Sequence, residues 1–349
     1  MIFNSDNASG ALPEIMAALA EGEQGYAMPY GNDPLTARAQ DKVREVFEAP
    51  DAAVHFVATG TAANALALAC LCPPWATIFC HQHAHVEGDE CAAPEFYTGG
   101  AKLTLLDGDD AKMTAEGLRQ AVSSAAPLGV HSVQAGALSL TQATEAGAAY
   151  TLDEVRELAG IARNAGLPVH MDGTRLANAL VRQGVSPAEM TWKAGVDILC
   201  LGATKNGALA AEAVVLFDPE RAWEFELRRK RGGHLFSKLR FLSAQIDAYL
   251  TDDLWLRTAA HSNAMTDRLA AGIANIDGAR VTNSIGANIL FPEITLAQHK
   301  RLQEAGAGYY TMSPFDPDGS DDQTILIRLV SSFRTTEADV DRFLAALAG

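Results

Sequence analysis

From about residue 50 onward, apolar positions fall into two alternating patterns: short unbroken runs and longer stretches with helical spacing. Residues 61–72 (TAANALALACLC) are apolar on every face, which predicts a buried helix. Runs at 76–80 (ATIFC), 102–106 (KLTLL), 130–134, 167–171 (LPVHM), 196–201 (VDILCL) and 212–217 (EAVVLF) have the length of buried strands. Two of the intervening helices announce their starts. Thr151 with Glu154, and Ser186 with Glu189, form capping boxes, and Pro187 stands at a first helical position where its missing N–H costs nothing. Short strands alternating with helices predict an α/β fold, with a mostly parallel central sheet covered by helices on both faces. After about residue 235 the pattern changes to a helical stretch at 237–275, strand-like segments at 280–291 and 324–330, and helices near 295–305 and 336–347. This reads as a smaller α+β unit. With no repeat and no Pro/Gly linker to mark the seam, the division is placed near 245, giving a large domain at 1–245 with an N-terminal segment and a small domain at 246–349.

The 349-residue length suits two such units, because single cores stop growing at roughly 250–300 residues. A formal net charge of −16 repels nucleic acid and anionic membrane surfaces, so neither is an expected partner. No apolar run approaches the roughly 20 residues that span a bilayer, and MIFNSDNASG has neither the basic nor the apolar region of a signal peptide. Cys70, Cys72, Cys80, Cys91 and Cys200 sit mostly in apolar stretches without paired spacing. They are expected to be reduced core residues of a cytoplasmic protein.

Three segments carry candidate chemistry. Thr59-Gly60-Thr61-Ala62-Ala63-Asn64 follows an apolar run and opens a helix, where small residues let backbone N–H groups meet a phosphate at the positive helix end. An ordinary strand-to-helix turn would look the same. His170-Met171-Asp172-Gly173-Thr174-Arg175 lies at the end of an expected strand, where open α/β sheets bind ligands. Asp172 there needs a cationic or hydrogen-bonding partner, unless it only caps the following helix. Leu201-Gly202-Ala203-Thr204-Lys205-Asn206-Gly207 places a lysine between a buried strand and a glycine turn, where desolvation favours the neutral amine that a Schiff base requires. A rival is His81-Gln82-His83-Ala84-His85, whose alternating histidines, with Glu87, Asp89 and Glu90 nearby, could bind a catalytic metal. Such runs are more often polar surface or ring-stacking groups, so no metal is expected. Arg228-Arg229-Lys230-Arg231 reads as a solvated helix face or subunit contact.

A phosphate cup, an acid at a strand end and a lysine after a later strand stand in the order found in pyridoxal 5'-phosphate enzymes of the transferase-like fold (fold type I). The chain resembles the low-specificity L-threonine aldolases of the β-eliminating lyase group. The resemblance runs through Asn4-Ser5-Asp6, Tyr30-Gly31-Asn32-Asp33-Pro34, the TGTAAN cup, Ala84-His85 with Glu90, His170 to Arg175, Lys205, and Ile327-Arg328-Leu329-Val330. It implies cleavage of L-threonine, L-allo-threonine and related β-hydroxy-α-amino acids to glycine and an aldehyde. β-Elimination and transamination are the alternatives on the same scaffold; a metal-dependent hydrolase and a non-catalytic binding protein are the alternatives outside it. It also implies roles. Lys205 would carry the cofactor as a Schiff base, Asp172 would hold its ring nitrogen protonated, and Gly60 and Thr61 would bind its phosphate. His85 would stack on the ring and handle the substrate's hydroxyl proton. Ser5, Arg175 and Arg328 would hold the substrate carboxylate. Tyr30 and Lys238 would reach a neighbouring subunit's site in a homodimer or homotetramer. Where the family carries Asn-Thr-His-Asn-Gly, this chain has Gln142-Ala143-Thr144-Glu145-Ala146, which aligns Thr144 with the histidine and leaves the catalytic base and the stereochemical preference open.

Overall fold

A computed structural model describes residues 1–125 and 129–349. Seven strands make the central sheet: β1 (Ala53–Val57), β2 (Ala76–His81), β3 (Lys102–Leu106), β4 (Gln134–Thr141), β5 (Val169–Gly173), β6 (Ile198–Gly202) and β7 (Glu212–Leu216). Their order is β1-β7-β6-β5-β4-β2-β3. β3, β2, β4, β5 and β6 run parallel, whereas β7 is antiparallel to both β6 and β1. That single reversal has a consequence for chemistry. The C-terminal ends of β1, β2, β4, β5 and β6 and the N-terminal end of β7 all open on one edge, where Gly202 and Val57 both pair with Glu212. Ligands of open α/β sheets bind at such an edge.

The fully apolar 61–72 segment is indeed the Gly60–Leu71 helix, and every residue from Ala62 to Leu71 is buried. Burial of Leu66 and Leu68 contributes about 1.5–3 kcal/mol each. The expected strands recur with shifted ends, and one moves substantially: Gly129–His131 is a short 3₁₀ turn, and β4 begins at Gln134. Its small residues concealed it. A Cβ at Gly136 would meet Cys72 Sγ at 2.4 Å and the Thr77 carbonyl oxygen at 2.8 Å, so close approach of β2 demands residues that weaken the apolar signal. β1 is not among the expected strands; it is held by β7, a partner far along the chain. Nor were the helices Pro13–Gly22 and Pro34–Val46 assigned, although Asp33 before Pro34 is a legible cap: its Oδ1 accepts from the Thr36 N–H at 2.9 Å.

The 237–275 stretch is two helices, Arg240–Leu250 and Leu254–Ile273, broken where Asp252 and Asp253 take φ of +51° and +53°. Residue 245 lies within the first of them. The apolar clusters divide further on, within the second: Ala259 packs in the large-sheet core, while Met265 and Leu269 join the C-terminal one. The C-terminal sheet is antiparallel, built from β8 (Arg280–Val281), β9 (Ile289–Leu290), β10 (Pro292–Thr295), β11 (Tyr310–Thr311) and β12 (Thr324–Val330). Helices Leu296–Glu304 and Glu337–Ala348 complete it. The chain's first residues belong to this layer. Phe3 is wholly buried in the C-terminal cluster, its N–H donates to the Gly308 carbonyl at 2.7 Å, and its carbonyl accepts from the Val330 N–H at 2.9 Å. This strap carries Asn4 to Asn7 across the open edge of the large sheet.

Candidate active site

A cleft of about 280 Å³ opens at that edge, lined by Asn7, Thr59, Gly60, Thr61, Asn64, His85, Thr174, Thr204, Lys205 and Glu212, among others. Its floor is the start of the Gly60–Leu71 helix. Thr59 caps the helix, its Oγ1 accepting from the Ala62 N–H at 3.2 Å. The N–H groups of Gly60 and Thr61 belong to the first turn, beyond the reach of any helical carbonyl, and are the donors an anion would meet. A Cβ at Gly60 would find only Thr174 Oγ1, at 3.8 Å, so the cradle is open above it.

Asp172, next to last in β5, is met by donors on both of its oxygens. Oδ1 accepts from the Thr174 N–H at 3.0 Å and from its hydroxyl at 2.7 Å, and Oδ2 accepts from Asn64 Nδ2 at 2.9 Å. Burial opposes its ionisation, but the Thr174 bonds and the nearby His85 outweigh that and hold the carboxyl below its ordinary range. The same Asn64 Nδ2 donates to Glu90 Oε1 at 2.8 Å, and that oxygen also lies 2.8 Å from His85 Nδ1. Glu90 is buried, and burial raises its pKa. Its bond to His85, ahead of the more distant Asp172 and Glu145, draws the imidazole's pKa up. His85 is thereby oriented through Nδ1, leaving Nε2 as its reactive nitrogen. His85, Glu90 and Asp172 are also close enough to share a cation, but Asn64 already cross-links both carboxylates through hydrogen bonds. His81 is engaged elsewhere: its Nε2 meets the Gly108 carbonyl at 3.1 Å, and Nδ1 accepts from the His83 N–H. The alternating histidine run therefore does not converge on one point.

Lys205 sits in the 3₁₀ turn Thr204–Asn206 directly after β6, half-buried, with no hydrogen-bond partner for its ammonium among the described residues. Gly202 makes that position possible. A Cβ there would lie 2.6 Å from the Thr174 backbone, so only glycine lets the end of β6 approach the Asp172–Thr174 turn. Beside Lys205 is a residue that the sequence did not single out. Glu212, at the start of the reversed strand β7, is buried in the cleft wall, with Oε2 accepting from the Ala203 N–H at 2.8 Å. Burial pushes its carboxyl up to about 7, against the bonds from Thr204 and Ala203 and the charge of Lys205. Only the antiparallel pairing that brings Glu212 to the ligand edge reveals it.

Glu212 makes stability depend on pH. In the fold it keeps its proton up to pH about 7, and in the unfolded chain only to about 4.5. Its contribution is thus fully present below pH 4.5 and lost as pH rises through 7, an effect of roughly 3 kcal/mol. Urea unfolding of the wild type and Glu212→Gln at pH 5 and pH 8 should show the wild type losing most of that amount relative to the variant. Parallel losses in both proteins would refute it.

None of the three residues expected to hold a carboxylate is among those lining this cleft, and Ser5 borders a separate hollow with Ser9 and Arg334. Arg175 is buried, and its Nε and Nη2 reach Asp6 Oδ2 and Oδ1 at 2.9 and 3.1 Å, a bidentate pair that leaves Nη1 as the guanidinium nitrogen without a partner among the described residues. Burial opposes the Asp6 charge, but Arg175 and Lys205 outweigh it and lower its pKa. Arg328 projects from β12, with Nη2 donating to the Asn4 carbonyl at 3.3 Å and the buried Nε unpaired. Ser5 caps the turn that leads to Asn7, accepting from the Asn7 N–H at 3.2 Å. Tyr30 and Lys238 do not line the cleft of their own chain. Tyr30 is exposed beneath Lys230, 4.8 Å from its ring centre, and Lys238 borders a neighbouring groove with Ala58 and Phe236. Thr144 is turned away altogether, its buried hydroxyl donating to the Asp110 carbonyl at 2.8 Å.

A mostly parallel seven-stranded sheet with one reversed strand, an anion cradle, a partnerless lysine and a buried anionic aspartate together define a lysine-centred α/β enzyme site. The sequence model of the beta-eliminating lyase family matches residues 3–293, and the chain belongs to that family. It is 42% identical over 309 residues to the low specificity L-threonine aldolase of Pseudomonas aeruginosa, covering 88% of each chain. A second low specificity L-threonine aldolase, from another Pseudomonas strain, is 40% identical with 88% of each chain covered. Among solved structures, the threonine aldolase of Leishmania major superposes with a TM-score of 0.91 at 28% identity, over 99% of this chain and 98% of that one.

Proposed function

We propose that this protein is a pyridoxal 5'-phosphate-dependent aldolase that cleaves L-threonine, L-allo-threonine and related β-hydroxy-α-amino acids to glycine and an aldehyde. The observation that carries this reading is the placing of a partnerless lysine, a buried aspartate held ionised and an open helix start around one cleft, in a chain 42% identical to a low specificity L-threonine aldolase. The residues present fit the cofactor. Gly60 and Thr61 offer unpaired backbone donors for its phosphate, Asp172 offers a charge for its ring nitrogen, and Lys205 offers an amine for its aldehyde. When bound, the cofactor supplies an electron sink for the pair released at the substrate's α-carbon.

The chain's own residues supply the rest. Asp172, fixed by Thr174 and Asn64, keeps a proton on the ring nitrogen. Lys205 would hold the cofactor through its amine, and the same amine would be placed to move the proton at the substrate's Cα. His85, anchored through Nδ1 to Glu90, would cover one face of the ring. Arg328 and Arg175 Nη1, with the Ser5 hydroxyl, receive the substrate carboxylate. Holding the carboxylate would fix the orientation of the amino acid in the cleft. The chain is further read as a cytoplasmic homo-oligomer, a dimer or tetramer. Its cysteines are unpaired, and large apolar side chains on the segment before Tyr30, Tyr26 and Met28, are exposed. No helix among the described residues is long and apolar enough to cross a membrane.

The test is product release from cofactor-loaded protein given L-threonine and, separately, L-allo-threonine. Equimolar acetaldehyde and glycine are expected from both. Ammonia with a keto acid would reassign the protein to β-elimination, and a new amino acid formed from an added keto acid would reassign it to transamination.

A further inference from the structure

Lys205 is held by the turn that carries it, and the anchors of that turn are unequal. Residues 203–211 join β6 to β7, and Gly202 opposite Glu212 is the last pair of the ladder. Ala203, the next residue, is wholly buried, and its N–H is met by the Glu212 side chain, with Oε2 at 2.8 Å. A buried N–H needs an acceptor, so this bond fixes where the turn begins. The Ala203 carbonyl then receives the N–H groups of Asn206 and Ala208, each at 3.0 Å. One residue thus roots the turn through both its N–H and its carbonyl, and the N–H depends on a single side chain.

Downstream of Lys205 there are several anchors. Asn206 Nδ2 donates to the Tyr249 hydroxyl and to the Trp255 carbonyl, both at 2.8 Å, and the Gly207 carbonyl accepts from the Leu12 N–H at 2.8 Å. Upstream, Thr204 Oγ1 accepts from the Ala211 N–H at 3.2 Å, which closes the loop on itself. Glu212 is what ties Ala203 to the reversed strand, and its own setting is firm. Register places it between Gly202 and Val57, the last residues of β6 and β1. Strand alternation puts its side chain on the face of Val214 and Leu216, which share an apolar cluster with Ala62, Ala63 and Leu66 of the Gly60–Leu71 helix. Glu212 is buried, yet it lines the same cleft as Lys205, Gly60 and Thr61.

We infer that Glu212 is a positioning residue of this site, whose carboxyl oxygen holds the Ala203 N–H and so aims the Lys205 amine at the cofactor's aldehyde carbon. This rests on the reading of Lys205 as the cofactor-bearing lysine. In the step served, the lysine nitrogen bonds to the aldehyde carbon and the aldehyde oxygen leaves as water, with no change of oxidation state. The role calls for an oxygen at the right reach and not for a charge, because a carboxylate, a carboxylic acid and an amide all offer an acceptor to the N–H. Glutamine preserves that reach; aspartate, one carbon shorter, does not.

The experiment compares the full-length, cofactor-free wild type with Glu212→Asp and Glu212→Gln, using two ligands. Pyridoxal 5'-phosphate reports attachment, through the rate at which the protein-bound visible band appears and through borohydride capture on the 205 peptide. Pyridoxamine 5'-phosphate carries an amine in place of the aldehyde, cannot attach, and reports the cleft alone through its Kd. Glu212→Asp should slow attachment roughly 10–100-fold with the pyridoxamine 5'-phosphate Kd within about threefold of wild type, and Glu212→Gln should restore attachment to within about threefold. Attachment at the wild-type rate in Glu212→Asp overturns the assignment. Equal slowing in Glu212→Gln also overturns it, by making charge the requirement. So does a parallel loss of pyridoxamine 5'-phosphate binding, which would make Glu212 a support of the whole cleft. A wild type that captures no cofactor on the 205 peptide removes the lysine reading itself, an outcome distinct from a capturing wild type matched by Glu212→Asp.

Discussion

Lys205→Ala is expected to remove covalent cofactor attachment and to lower turnover by roughly 10⁴-fold or more, at or beyond the usual contribution of a single acid–base group. The expectation follows from position and environment. Lys205 leaves β6 in a tight turn that Gly202 allows to press against Thr174, and its side chain ends in the cleft with no acceptor among the described residues. A half-buried lysine without a partner gains nothing for the fold by being there, so its removal should leave stability nearly intact. Borohydride reduction followed by peptide mass analysis checks the attachment directly, since cofactor should be fixed to the 205 peptide in wild type alone. The visible absorbance of free rather than bound cofactor in the variant is the parallel sign. An unchanged protein-bound band in Lys205→Ala would sink the assignment of the attachment point.

The second large effect is expected at Asp172. Its carboxylate is buried and fully used, with Thr174 on one oxygen and Asn64 on the other. Asp172→Asn keeps the shape but removes the charge that would face a ring N–H⁺. It also replaces one acceptor oxygen by an amide nitrogen, which faces donors in either orientation: those of Thr174 or that of Asn64. Removing one member of a buried charge pair costs about 3–5 kcal/mol. At about 1.4 kcal/mol per tenfold, that corresponds to a loss of roughly 10²–10⁴-fold in turnover at saturating cofactor. Steady-state kinetics at several cofactor concentrations separates this from weakened binding. Turnover within tenfold of wild type at saturation would show that the ring nitrogen does not depend on Asp172. The damage should extend to His85 as well, because Asn64 and Glu90 join the two sites in one network.

Much of this was legible along the chain because the signals are local. An all-apolar run of helix length is buried whatever surrounds it, and Gly60–Leu71 formed where the composition placed it. Capping boxes at Thr151 and Ser186 rest on residues three apart, and both are present with reciprocal bonds. The anion cradle, Asp172 and Lys205 each stand at a strand end, and strand ends can be read from short apolar runs without knowledge of strand order.

What the tertiary structure decided depends on pairings between distant residues. Arg175 looked free to bind a ligand, but Asp6, 169 positions away, takes two of its nitrogens. Glu212 looked like the polar start of an ordinary strand; antiparallel pairing of β7 brings it to the ligand edge and strips its water. At the loop after β4, alignment by residue type pointed to Thr144, while packing turned that hydroxyl to the Asp110 carbonyl. The division has a single physical reason. Propensity and apolar periodicity act over a few residues and are written into the sequence directly. Ion pairing, desolvation and the direction in which a loop side chain points are set by whatever the fold brings alongside, and they exist only once the sheet has closed.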